Sequence, residues 1–171
     1  MILYVDMDGV LVDFHKEASK RIGYDIDGKE FQDFGQNKRN QAYSEACDTV
    51  EFWSQLEPMQ DYDELWGFVR YWNPQILTAY PQWGKSAIEV AIKGKKLWNK
   101  THMMVPDNRF HVVARVQKQN FALNSVTKHP NVLIDDKDKN IEEWIKAGGI
   151  GILHISAKDT IKQLERIGYT K

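Results

Sequence analysis

Cysteine is almost absent from this chain: Cys47 is the only one in 171 residues. That excludes an intrachain disulfide, a Cys-rich zinc site and a dithiol redox pair. Net charge is absent too, since 23 Lys+Arg against 24 Asp+Glu leave −1. The chain as a whole therefore has no attraction for DNA, RNA or an anionic membrane, and only a local basic patch could supply one. The longest apolar runs are a few residues, far below the roughly 20 that span a bilayer. Met1-Ile2-Leu3-Tyr4-Val5 leads straight into acidic residues with no basic segment before it, so no secretory leader is expected. Neither an internal repeat nor a low-complexity segment is present. What remains is 42% hydrophobic and 27% charged, the composition of a globular protein. The expectation is a soluble, cytoplasmic chain of about one domain, large enough to bury about 70% of its unfolded surface.

Hydrophobic patterning alternates strands with helices. Ile2–Val5 is a short apolar run rich in strand formers that stops at Asp6-Met7-Asp8-Gly9. Further strands are expected at 75–78, 110–116, 131–134 and 151–155, and helices near 13–22, 38–47, 61–71, 85–99, 139–147 and 157–167. This order predicts α/β architecture: a Rossmann-like, mostly parallel sheet. Residues 14–66 are too long for an ordinary connection and are expected to form a small, mostly helical cap, with 1–13 and 67–171 making the core. Three apolar strands end in polar residues, namely Asp6/Asp8, Thr78 and Asp135/Asp136. In open α/β sheets, ligands bind beyond the carboxyl ends of the strands, so these residues can converge.

Three or four converging carboxylates repel one another strongly unless a cation neutralises them. Ligands that are all oxygen favour a hard ion, and few carboxylates in a small site favour Mg²⁺ over Ca²⁺. A calcium loop of the EF-hand type needs a third acid that Asp6-Met7-Asp8-Gly9 lacks. The plain alternative for Asp6 and Asp8 is Asp-Gly turn chemistry with a helix cap. A second acidic pair after another apolar strand weighs against it. The five histidines show no ligand spacing, and Cys47 reads as a small buried hydrophobe.

Asp6-Met7-Asp8-Gly9-Val10-Leu11 resembles the first motif, DxDG(T/V), of the haloacid dehalogenase-like (HAD) phosphohydrolases. Leu77-Thr78 resembles their second motif, and Leu133-Ile134-Asp135-Asp136 with the following Asn140 and Glu143-Trp144 resembles their fourth. Within that superfamily the chain is most similar to the 5′(3′)-deoxyribonucleotidase group, through Asp6 to Phe14, Phe52-Trp53-x-x-Leu56-Glu57-Pro58 and Leu133 to Asp138. The resemblance implies that Asp6 is a nucleophile forming an aspartyl-phosphate and Asp8 the general acid and base. It implies Mg²⁺ held by Asp6, the Asp8 carbonyl and Asp135, with Asp136 a further group at the metal. Thr78 and the N–H of Ala79 would bind phosphate oxygens; relatives often carry serine where Ala79 stands.

The third motif is a lysine. Lys118 follows the third apolar run at the usual place, and Lys85, soon after Thr78, is its rival. Among the aromatic residues of the cap, the resemblance singles out Phe14, Phe52 and Trp53 for stacking on a base, while the remainder read as cap core. The expected substrate is a small phosphorylated molecule, a nucleoside monophosphate. Alternatives are a 3′-phosphatase acting on nucleic-acid ends and, in a different class, a catalytically retired binding module. A membrane partner is not expected. A homodimer is compatible with the sequence, although no feature marks an interface.

Overall fold

The computed structural model describes residues 1–170. In chain order its elements are β1 (Leu3–Val5), α1 (Phe14–Ile22), α2 (Lys29–Gln32), α3 (Gln36–Cys47), α4 (Val50–Ser54), α5 (Tyr62–Val69), β2 (Gln75–Ala79) and α6 (Lys85–His102). They continue as β3 (Phe110–Val113), a 3₁₀ helix at Arg115–Phe121, β4 (Val132–Asp135), α7 (Asp138–Lys146), β5 (Ile150–Leu153) and α8 (Ala157–Arg166). No helix among the described residues is long and apolar enough to cross a membrane.

Two compact units divide the chain. One comprises Met1–Val12, Pro58–Ala79 and the chain from Pro106 onward. It contains a five-stranded, all-parallel sheet in the order β3-β2-β1-β4-β5. The central strands β1 and β4 are buried along their whole length, as expected of strands covered on both faces. Tyr4, Leu77, Leu133, Ile141 and Trp144 pack into one core cluster, with Tyr4 set edge-on to Trp144. From β1 the chain builds outward through β2 and β3 on one side, then crosses to β4 and β5 on the other. The point of reversal therefore lies between β1 and β4, where Leu3, Tyr4 and Val5 face Val132, Leu133 and Ile134.

The second unit comprises Asp13–Glu57 and Tyr80–Val105. Helix α5 groups with the sheet: Leu65, Phe68 and Val69 are buried, and the Asp61 carboxylate before it accepts from the N–H of Ala157 at the start of α8. Helix α6 instead packs on α4, burying Ala87, Ala91 and Gly94 and donating from the Trp98 indole to the Leu56 carbonyl at 2.8 Å. Aromatic residues fill this unit. Phe14 stacks on Trp53 at 5.3 Å, Tyr43 on Trp83 at 4.8 Å, and Phe52 meets both Phe14 and Trp53 edge-on. The short α4, not anticipated from the sequence, starts because the Thr49 hydroxyl accepts from the Phe52 N–H at 3.1 Å, a standard N-cap.

Gly94 lets α6 approach α4. A Cβ there would lie against the Trp53 Cβ and 2.8 Å from the Val50 carbonyl oxygen, and neither can move cheaply. Alanine is a better helix former by about 1 kcal/mol, but overpacking costs about 1–3 kcal/mol. Gly94→Ala is therefore expected to lower the melting temperature of the purified protein. An unchanged or higher value in a thermal scan would overturn this packing argument.

Candidate active site

The site lies at the carboxyl edge of the sheet, within the first unit. Val5 pairs with Ile134, and the Asp6 N–H donates to the Ile134 carbonyl at 2.9 Å, so Asp6 and Asp135 leave neighbouring strands side by side. Thr78 is buried in β2 on the other side of β1, one residue before the strand ends at Ala79. After Asp6 the backbone turns sharply: the Met7 carbonyl accepts from the N–H groups of Val10, Leu11 and Val12. The turn needs Gly9, whose φ is +80° and whose Cβ, if present, would run into the Asp136 carboxylate.

Lys118 enters from the edge beyond β2. The expected strand 110–116 stops at Val113, whose register partner Ala79 is the last residue of β2. Without a neighbour the backbone coils into the 3₁₀ helix at Arg115–Phe121, and this carries Lys118 inward. Its Nζ lies 2.9 Å from Asp6 Oδ1 and 2.7 Å from Asp135 Oδ2, with the side chain only 3% exposed. Burial alone would lower its pKa, but Asp6 and Asp135 outweigh it and hold the ammonium well above the usual lysine range. Lys85, by contrast, is exposed in the first turn of α6.

Among the described residues, the acidic side chains grouped so that an ion could bind are Asp6, Asp135 and Asp136, with oxygens within 4.8 Å of one another. The Asp8 carboxylate is not part of this group. The set fits a small divalent cation. All donors are oxygen, Asp6 and Asp135 share the one buried ammonium of Lys118, and Asp136 pairs through Oδ2 with the largely exposed Lys137 at 3.1 Å while its Oδ1 is buried with no hydrogen-bond partner. Burial, and then repulsion from Asp6, raise the Asp136 carboxyl to about 6. Asp135 is also raised by burial and by Asp6, with Lys118 pulling the other way.

Two contributors have no role assigned from the sequence, although Asn140 lies within the run that resembles the fourth motif. Asn140 donates from Nδ2 to both oxygens of Asp135, at 2.9 and 3.0 Å, and Arg115 reaches Asn140 and Glu143. The signal that could have found them is the three-residue spacing of Arg115/Lys118 and of Asn140/Glu143, which puts each pair on one helical face. Phe14, Phe52 and Trp53 belong to the second unit. There Phe52 has no accessible surface and Trp53 2%, whereas Phe14 is partly exposed. Burial pushes the Cys47 thiol up to about 12, which removes it as a nucleophile.

No protein-family model matches the sequence, and no curated protein matches it. Solved structures do. A hydrolase from Streptococcus pneumoniae TIGR4 is similar with a TM-score of 0.53 at 13% identity, over 95% of this chain and 97% of that one. A HAD-superfamily hydrolase of subfamily IA, variant 1, from Geobacter sulfurreducens PCA gives 0.50 at 12% identity, over 95% of each chain. At such identities the likeness shows the fold: a HAD-like, Rossmann-type α/β sheet.

The raised Asp136 pKa has a consequence for stability. The folded protein keeps that proton up to about pH 6, whereas an unfolded chain releases it near 3.8. Stability from this group therefore falls as pH rises between those values and stays low above them, by on the order of 3 kcal/mol. In the presence of a chelator, Asp136→Asn is expected to melt higher than wild type at pH 7.5 and to lose that advantage below pH 4. Equal melting temperatures at both pH values would contradict it.

Proposed function

We propose that the protein is a Mg²⁺-dependent phosphomonoesterase that works through an aspartyl-phosphate and takes a nucleoside monophosphate as substrate. The observation that carries the reading is the Lys118 ammonium, buried between Asp6 and Asp135 beside a third carboxylate. A structural ion pair needs no such surplus of negative charge, and burying one is costly. A site that must receive a phosphate and a divalent cation has a use for it.

In this reading an Asp6 oxygen attacks phosphorus and the ester P–O bond breaks. Asp8 gives its proton to the leaving alcohol. Asp8 then takes a proton from the water that attacks the phosphorus of the acyl phosphate, restoring Asp6 and releasing inorganic phosphate. Lys118 offsets the repulsion between the phosphate oxygens and the Asp6 carboxylate in a site shielded from water. The Thr78 hydroxyl and the Ala79 N–H donate to phosphate oxygens. Asp6, Asp135, Asp136 and the Asp8 carbonyl would hold Mg²⁺, which supplies charge neutralisation for the transferring group when bound.

The nucleotide part of the proposal rests on the aromatic group of the second unit together with the resemblance of Asp6 to Phe14 and Phe52 to Pro58. Phe14 is only partly buried, while Trp53 and Phe52 beside it within that unit are buried. Phe14 is therefore the residue to which base stacking is assigned.

Asp6→Asn is expected to abolish phosphate release from a panel of monophosphates in protein that still unfolds in a cooperative thermal transition. Turnover above a few per cent of wild type would remove Asp6 from the nucleophile's role. Lys118→Ala is expected to lose far more activity than Lys85→Ala, and the reverse ranking would move the lysine's role to Lys85.

Base recognition is tested by comparing nucleoside monophosphates with ribose 5-phosphate, which shares charge and leaving group. A stacking contribution of about 1–3 kcal/mol corresponds to roughly five- to 150-fold in kcat/KM. Phe14→Ala is expected to shrink that ratio while sparing hydrolysis of a small generic ester. A wild-type enzyme with no preference for nucleotides would leave a phosphatase of other specificity.

A further inference from the structure

A chain of hydrogen bonds continues from the reacting groups to the surface, entirely within the sheet-bearing unit. Asp135 Oδ1 accepts from the Lys137 N–H at 3.0 Å and Oδ2 from Lys118 at 2.7 Å, while Nδ2 of Asn140 straddles both oxygens at 2.9 and 3.0 Å. Behind it, Arg115 Nη1 donates to Asn140 Oδ1 at 3.1 Å, and the guanidinium grips Glu143 with two bonds of 2.8 and 3.2 Å. Asn140 is 6% exposed and Asp135 not at all, whereas the side chains of Arg115 and Glu143 are 29% and 26% exposed.

The chemistry of each group permits one arrangement. An ionised carboxylate only accepts and a guanidinium only donates, so the amide between them must turn Nδ2 to Asp135 and Oδ1 to Arg115. The reverse orientation would oppose oxygen to oxygen and N–H to N–H. We infer that Arg115, itself anchored on Glu143, locks the Asn140 amide, and that Asn140 is thereby a positioning residue. It holds the plane of the Asp135 carboxylate, and through it the Lys118 ammonium, in register with Asp6. The spacing supports this. In a 3₁₀ helix, residues three apart eclipse, so Arg115 and Lys118 leave the same side. Asn140 and Glu143, three apart on α7, both receive Arg115 on one face, while Lys118 passes to Asp135 and Asp6. One helical element thus delivers the reacting lysine and the residue that orients its anchor.

The inference goes beyond the phosphatase reading but rests on its assignment of Asp135, and its test separates the two. In ¹⁵N-labelled wild-type protein the Asn140 side-chain amide protons, assigned by their loss in Asn140→Asp, are expected to exchange slowly with water. Arg115→Ala should make that exchange faster, and added guanidinium should restore it. Mn²⁺ titration without substrate is expected to show affinity reduced about 10–100-fold in Asn140→Leu. Arg115→Ala should fall in the same direction and add nothing in the double variant. Asn140→Ser replaces Asn140→Leu should the latter not fold. Unchanged amide exchange in Arg115→Ala, unchanged Mn²⁺ affinity in the Asn140 variants, or fully additive losses would each overturn the positioning role. If wild type releases phosphate from no ester, the phosphatase reading fails while the exchange and Mn²⁺ results still decide this one.

Discussion

The Lys118 ammonium, fixed between the carboxylates of Asp6 and Asp135, is the contact around which this site is organised. Each of the three charges would be costly to bury alone, and removing one partner of such a buried group typically costs several kcal/mol. Their coexistence sets conditions elsewhere. Strands β1 and β4 must pair in a register that brings Asp6 level with Asp135. Strand β3 must end at Val113 so that the following residues coil and turn Lys118 inward. Gly9 must stay without a side chain, because the turn it forms leaves no room beside Asp136.

Asp136 works against stability in the same arrangement. Its carboxyl is raised to about 6 by burial and by Asp6, so above that pH the folded protein holds a charge it would rather not ionise. Perturbed carboxyls of this kind cluster at functional sites. The neighbouring Asp135 is better supplied, with donors from Lys118, Asn140 and the Lys137 N–H. Two adjacent acids thus have opposite surroundings, one saturated with hydrogen bonds and one with an oxygen that lacks any.

The second unit is held by different means. Its aromatic rings stack and meet edge-on, and the buried Lys95 ammonium lies 5.0 Å from the Trp53 ring centroid. Such rings bury large areas and prefer offset or tilted contacts, which allows short helices to pack where regular ridges are absent. Trp53 and Phe52 are thereby committed to the interior, leaving Phe14 partly exposed.

By itself the sequence determined the order of the strands and helices and the acidic strand ends, because hydrophobic periodicity and Asp-x-Asp-Gly chemistry are local properties of the chain. Asp6, Thr78 and Asp135 could be named from such local signals, whereas Lys118 is placed only by the family resemblance, with Lys85 as its rival. Tertiary structure decided where β3 stops, since a strand continues only while its neighbour offers hydrogen bonds, and β2 ends opposite Val113. It also decided the division of the chain, because α6 follows its small residues to α4 while α5 follows its apolar face to the sheet unit. Asn140 and Arg115 joined the site for the same reason. An amide and a guanidinium have no fixed role along the chain, and they acquire one only when folding sets them 3.1 Å apart behind a buried carboxylate.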